Sequence, residues 1–178
     1  MVEGYDPRHN RNSKEMNNSV QINVEDALDN LLANIPNLNV YKTNRVGAKL
    51  FPFATISASV GGQLLGNYTG VYEVSVTIDY SDTAAKISQE AFDSEYCSIF
   101  EAFYSETPPL FTKIQANIVD TKVYTARITG QTPTIRTAKR AWQRGLKISL
   151  VCTPSETDDG LRYLNFYQKQ NSMYVAVI

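Results

Sequence analysis

A serine triad, a zinc-bound water and a two-histidine metal centre all need imidazoles, and this chain has one, His9. It sits in a polar N-terminal stretch, away from any apolar periodicity. No GxxxxGK[ST] or GxGxxG string occurs, so the common phosphate-cradling loops are missing as well. Carboxylate or lysine chemistry stays open, but no spacing points to it. The expectation is a protein that is not an enzyme and carries no metal or cofactor. Cys97 and Cys152 lie far apart, and no apolar signal-peptide core precedes them, so both are read as reduced thiols. Asn67-Tyr68-Thr69 matches a glycosylation pattern that the same reasoning discounts. SETDDG (Ser155–Gly160) reads as an acidic turn, with a cation site there a minor alternative.

Charge is more informative than catalytic inventory. Seventeen Lys and Arg against eighteen Asp and Glu give a net charge of -1, so no bulk field draws the chain to nucleic acid or membrane. The distribution is uneven. Glu73, Asp79, Asp82, Glu90, Asp93, Glu95, Glu101 and Glu106 share their stretch with a single base, Lys86. Lys122, Arg127, Arg136, Lys139, Arg140, Arg144 and Lys147 share theirs with no acid. Within Ile135–Lys147 the bases interleave with Trp142, the only tryptophan. The candidate interface residues are therefore Arg136, Lys139, Arg140, Trp142 and Arg144. Self-association is the favoured reading: a basic hairpin on one copy meets the acidic helix of the next, with Trp and Arg as interface anchors. Nucleic-acid binding, with bases for phosphate and an aromatic to stack, is the second reading. A solvated loop with Trp142 folded back onto the sheet is the third.

The elements that must carry these residues follow from periodicity. The chain's 178 residues and 43% hydrophobic content suit one domain with a real core. Residues 1–19 are Asn- and charge-rich and read as a flexible arm. Ala27, Leu28, Leu31, Leu32 and Ile35 form a helical stripe that starts near Val24, capped by Asn23, and stops at Pro36. Short strand signals lie at Asn39–Asn44 and Phe53–Val60. From Val71 to Tyr80, Tyr72, Val74, Val76, Ile78 and Tyr80 alternate strictly with polar residues, which means a sheet covered on one side. The glycine-rich Gly61–Gly70 between the last two reads as a hairpin connection. A long helix is expected from Ser81 or Asp82 to about Tyr104, its aromatic stripe facing the core. Ile114–Ile118 and Tyr124–Ile128 suggest one interrupted strand, and Leu146–Cys152 another. Thr129–Gly145 between them exceeds a tight turn, and such insertions are more often functional. Leu161–Ile178 is too apolar to stay free in water. The expected fold is a two-layer α+β domain (residues 20–154). Two helices pack on one face of a mostly antiparallel sheet with an extended hairpin. The apolar tail (155–178) packs on the core or on a neighbouring subunit.

At this level the chain resembles a known family. ALDNLLANIPNLNVY, PFATISAS, the long strand YEVSVTIDYSD, a helix and AKRAWQRGLKISLVC are together similar to tail terminator proteins of long-tailed bacteriophages, over about Val20–Thr153. The resemblance implies a ring, usually a hexamer, that caps the finished tail tube and offers the surface joining the head. It implies no catalysis and no cofactor. The implied partners are further copies of itself, the tail tube protein and the head–tail connector proteins, with DNA only in transit through the lumen and no membrane. The implied location is the tail or neck of a virion assembled in the host cytoplasm. The alternatives are a nucleic-acid-binding module using the basic hairpin, another neck component (connector or stopper), and a histidine-free hydrolase with carboxylates around a metal.

Overall fold

In the computed structural model the described residues are 9–43, 47–63, 70–104 and 106–154, with side chains at all of these except 9–19 and 62–63. Residues 1–8, most of the Gly61–Gly70 connection, the acidic turn Ser155–Gly160 and the tail Leu161–Ile178 lie outside them. The elements are α1 (His9–Leu32), β1 (Asn39–Lys42), β2 (Phe53–Gln63), β3 (Tyr72–Thr83), α2 (Gln89–Phe103), α3 (Leu110–Asn117), β4 (Thr121–Gln131), β5 (Ile135–Arg136) and β6 (Ala141–Pro154).

The strands form one open, mixed sheet in the order β1-β2-β3-β6-β4, with β5 paired to β6 beside it. Every pairing is antiparallel except β1 with β2. Register follows from alternation. Ala58, Val76 and Ile148 stand in one row across three strands, and Ile56, Ile78 and Leu146 in the next. All six are buried, because a period of two puts every second residue on the helix-covered face. The polar alternates Ser57, Ser75, Thr77, Lys147 and Ser149 occupy the other face. The fold is thus α+β, with the helices on one side of the sheet.

Helical spacing closes the core. α1 buries Val20, Val24, Ala27, Leu28 and Leu32, and α2 buries Phe92, Tyr96, Ile99 and Phe103. Each Val, Leu, Ile or Phe among them contributes about 1.5–3 kcal/mol on burial. Phe92 also stacks on Tyr80 with ring centroids 4.9 Å apart. Where β1 stops at Lys42, side chains take over the edge of β2. Glu25 accepts from the Ala58 amide at 3.0 Å, and Thr43 Oγ1 donates to the Ile56 carbonyl at 3.1 Å. On the far edge, Gln115 of α3 accepts from the Val123 amide (2.7 Å) and donates to the Thr121 carbonyl (3.2 Å).

Five expectations are corrected. α1 begins at His9 rather than near Val24, so residues 9–19, read as part of an arm, are helical. Asn23 does not cap it; lying mid-helix, it donates to Thr121 Oγ1 at 3.1 Å. β3 continues to Thr83, and α2 starts only after Ser88, whose hydroxyl accepts from the Ala91 amide. Ile114–Ile118 is no strand. α3 covers most of it, because the buried residues are Leu110, Ile114 and Ile118, a spacing of four. The segment Thr129–Gly145 does not project either: Thr132 N–H donates to Gly145 O (2.8 Å), which folds it against β6.

Candidate assembly surface

The basic segment is built on β5, a four-residue turn and the first residues of β6. Ile135 pairs with Gln143 and Arg136 with Trp142. Thr137 closes the turn. Its amide and hydroxyl both donate to the Ala141 carbonyl, at 2.8 and 3.2 Å, and its own carbonyl accepts from the Arg140 amide at 3.0 Å. The Arg140 carbonyl then accepts from the Ala84 amide at 2.9 Å, tying the turn to the end of β3. Arg140 takes φ 56°, a left-handed conformation that glycine or asparagine adopts at lower cost. The turn is therefore rigid, and it carries an arginine where stability alone favours a smaller residue.

The five candidate residues separate into two groups. Arg136, Lys139 and Arg140 are exposed. Trp142 and Arg144 turn onto their own domain. The Trp142 indole is half-buried against the core, and its Nε1–H donates to the Ile87 carbonyl at 3.1 Å. Arg136 lies over the Trp142 ring, 5.8 Å from its centre. Arg144 pairs with Asp93 at 3.2 Å, donates to Gln131 at 3.3 Å and stacks on Tyr96, 4.3 Å from the ring centre. Asp93 also accepts from Thr134 Oγ1, which holds the β4–β5 connection under α2. Part of the acidic block thus neutralises part of the basic block inside one subunit.

Two further cations share this end of the sheet. Lys86 stands in the turn after β3, and Lys49 in the segment leading into β2, where it lies 5.4 Å over the Phe53 ring. Lys49, Phe51, Phe53, Asp79, Thr137 and Lys139 line a shallow cleft of about 310 Å³. Sequence reasoning missed Lys49, Leu50 and Phe51, because only the pairing of β2 with β3 brings them beside the basic turn.

Burial is the leading cause for every shifted titratable group except Lys42, which its hydrogen bond to Asp26 raises. Desolvation raises Asp82, and the neighbouring Glu95 carboxylate raises it further, against the Thr83 amide and Lys86. Asp79 is raised by desolvation, offset in part by Lys49 and Lys147. Tyr80 is raised by desolvation and by its hydrogen bond to Glu95, 2.6 Å away. The buried Cys152 thiol is pushed up to about 12, while Cys97 is exposed. A thiol held so far from ionisation is a small apolar filler. What the arrangement offers chemically is a set of fixed cations beside apolar side chains, suited to binding an anionic surface. Among the described residues no cluster of His, Cys, Asp and Glu is placed to hold a metal ion. Nor is any described helix long and apolar enough to cross a membrane.

No profile of a known protein family matches the chain, and no curated protein sequence is similar to it. Among solved structures, the chain shares its fold, at a TM-score of 0.50 and 13% sequence identity, with a chain of the virion of a native gene transfer agent particle, over 78% of this chain and 97% of that one.

Proposed function

We propose that this protein is a structural subunit of a phage-like virion and acts without catalysis. In the finer reading it is a tail terminator: a ring, usually of six copies, that caps the tail tube and presents the surface joining the head. The observation that carries the coarser reading is the fold likeness to a chain of a gene transfer agent virion, which spans 97% of that chain. The finer reading rests on the sequence resemblance over about Val20–Thr153 and on the fixed cations at one end of the sheet.

The test is the mass of the full chain in solution by light scattering and native mass spectrometry, with electron microscopy of the same sample. A closed ring able to bind the end of an isolated tail tube is expected. A monomer at every concentration, with no affinity for tubes, would overturn the terminator reading.

A further inference from the structure

Charge and exposed apolar side chains are divided between the two ends of the sheet. At the end where β3 finishes and β6 begins, Lys49, Lys86, Arg136, Lys139 and Arg140 gather, with Glu90 and the Tyr80-bonded Glu95 as exposed acids. Among the described residues none of these five cations forms an ion pair. Beside them stand Leu50 (68% exposed), Phe51 and Ile135. The opposite end is built by the C-terminus of α2, by α3 and by residues 118–120. There β4 starts opposite Pro154, and Lys113 of α3 donates to the Ala102 carbonyl of α2. Glu101, Glu106 and Asp120 are exposed there, together with Tyr104 (58%), Phe111 and Val119 (67%). Lys122 is the exposed base.

So among the described residues six of the seven exposed large hydrophobic side chains fall at these two ends, three at each; the seventh, Ile22, lies on α1. Along strands as long as β3 and β6 the ends are roughly 40 Å apart. That is several Debye lengths at physiological salt, so the two charge sets do not screen each other within one subunit.

We infer that the basic end of one copy docks on the acidic end of the next, with the apolar groups of the two ends packed between the charges. This inference rests on the proposed assembly role and assigns the two surfaces that perform it. The occupant of the basic end is a second copy rather than nucleic acid for two reasons. Phosphates do not account for exposed Leu50, Phe51 and Ile135. Nor do they account for a matching acidic and apolar surface at the other end. A head-to-tail contact of this kind is heterologous, so it closes into a ring when its rotation divides the circle. Arg140 fits the reading: its left-handed backbone holds a cation outward at a position where glycine suits the fold better.

The experiment uses the full chain and reads mass against concentration at low and physiological salt. K139E/R140E and E101K/E106K each replace attraction by repulsion and raise the concentration for half-assembly by about 100-fold or more. The fourfold variant with both ends reversed restores assembly. R140G keeps the unfolding midpoint and weakens assembly, which separates lost docking from lost folding. Assembly unaltered by E101K/E106K, or not regained by the fourfold variant, overturns the inference and leaves a ring built through other surfaces. A monomeric parent protein overturns the ring and the docking together. Loss of retardation of a short duplex DNA by K139E/R140E, with the mass unchanged, assigns the basic end to nucleic acid instead.

Discussion

Trp142 is the residue at which an intramolecular anchor and an interface anchor make opposite predictions. Truncation to alanine removes a half-buried indole, the Nε1–H bond to Ile87 and the face over which Arg136 lies. A fully buried tryptophan costs about 3–5 kcal/mol on such truncation, and a half-buried one roughly half that. The hydrogen bond adds about 1 kcal/mol, and the exposed cation–π contact somewhat less. Trp142→Ala is therefore expected to cost about 3 kcal/mol of subunit stability. At this chain length that lowers the unfolding midpoint by roughly 6–12 °C. Trp142→Phe keeps most of the packing and loses the N–H, so it should cost about 1–1.5 kcal/mol. The assay is thermal unfolding by circular dichroism over a dilution series. A contact between copies gives a midpoint shift that depends on protein concentration, and a contact within the subunit gives one that does not. An unchanged midpoint at high dilution, together with a lower mass at high concentration, would refute the intramolecular anchor and give the indole to a neighbour.

Substitutions at four other positions test the frame around the site. Glu25→Ala leaves the buried Ala58 amide without its acceptor and should cost about 1–3 kcal/mol in denaturant unfolding, whereas Glu25→Gln retains an oxygen there and should cost less. Val76→Asp places a charge in the core and should abolish soluble expression, while Thr77→Asp, on the open face, should be tolerated by the isolated subunit; equal damage would mean a sheet covered on both faces. Asp82 is raised in the folded state, so the native protein holds that proton more tightly than the unfolded chain does. Its ionisation therefore lowers stability as pH rises through the folded value. Asp82→Asn should raise the midpoint at neutral pH and flatten its decline across the range just above ordinary carboxylate values, a change readable in melts from pH 4 to 8, roughly the interval where such groups titrate.

Sequence periodicity captured what one side of a sheet dictates and lost what depends on neighbours. The alternation from Tyr72 to Tyr80 needs no context, since each odd step would put a polar group into the helices. Ile114, Ala116 and Ile118 carry two periods at once, and only the helical one links Ile114 to Leu110. The first half of α1 has no apolar stripe to betray it in HNRNSKEMNNS. Of the site, composition identified Arg136, Lys139 and Arg140 as cations but could not separate them from Arg144. That distinction is made by Asp93 and Tyr96, which are 51 and 48 positions away in sequence and adjacent only once α2 lies over β6. Lys49, Leu50 and Phe51 were invisible for the same reason.

The side chains that finish the sheet edges bear on how the protein survives crowded synthesis. Strands with free amides and carbonyls recruit further strands without limit, and a protein made in many copies is the one most exposed to that hazard. Glu25 and Thr43 occupy the edge of β2 where β1 ends, and Gln115 occupies the start of β4. The rest of β4 is broken by irregularities at Val123/Thr125 and Ile128/Gly130, which spoil its match to a straight incoming strand. Uncontrolled fibre growth through the backbone is thereby discouraged at both margins. In the proposed assembly, recognition between copies is then left to side chains, whose geometry would set a finite count.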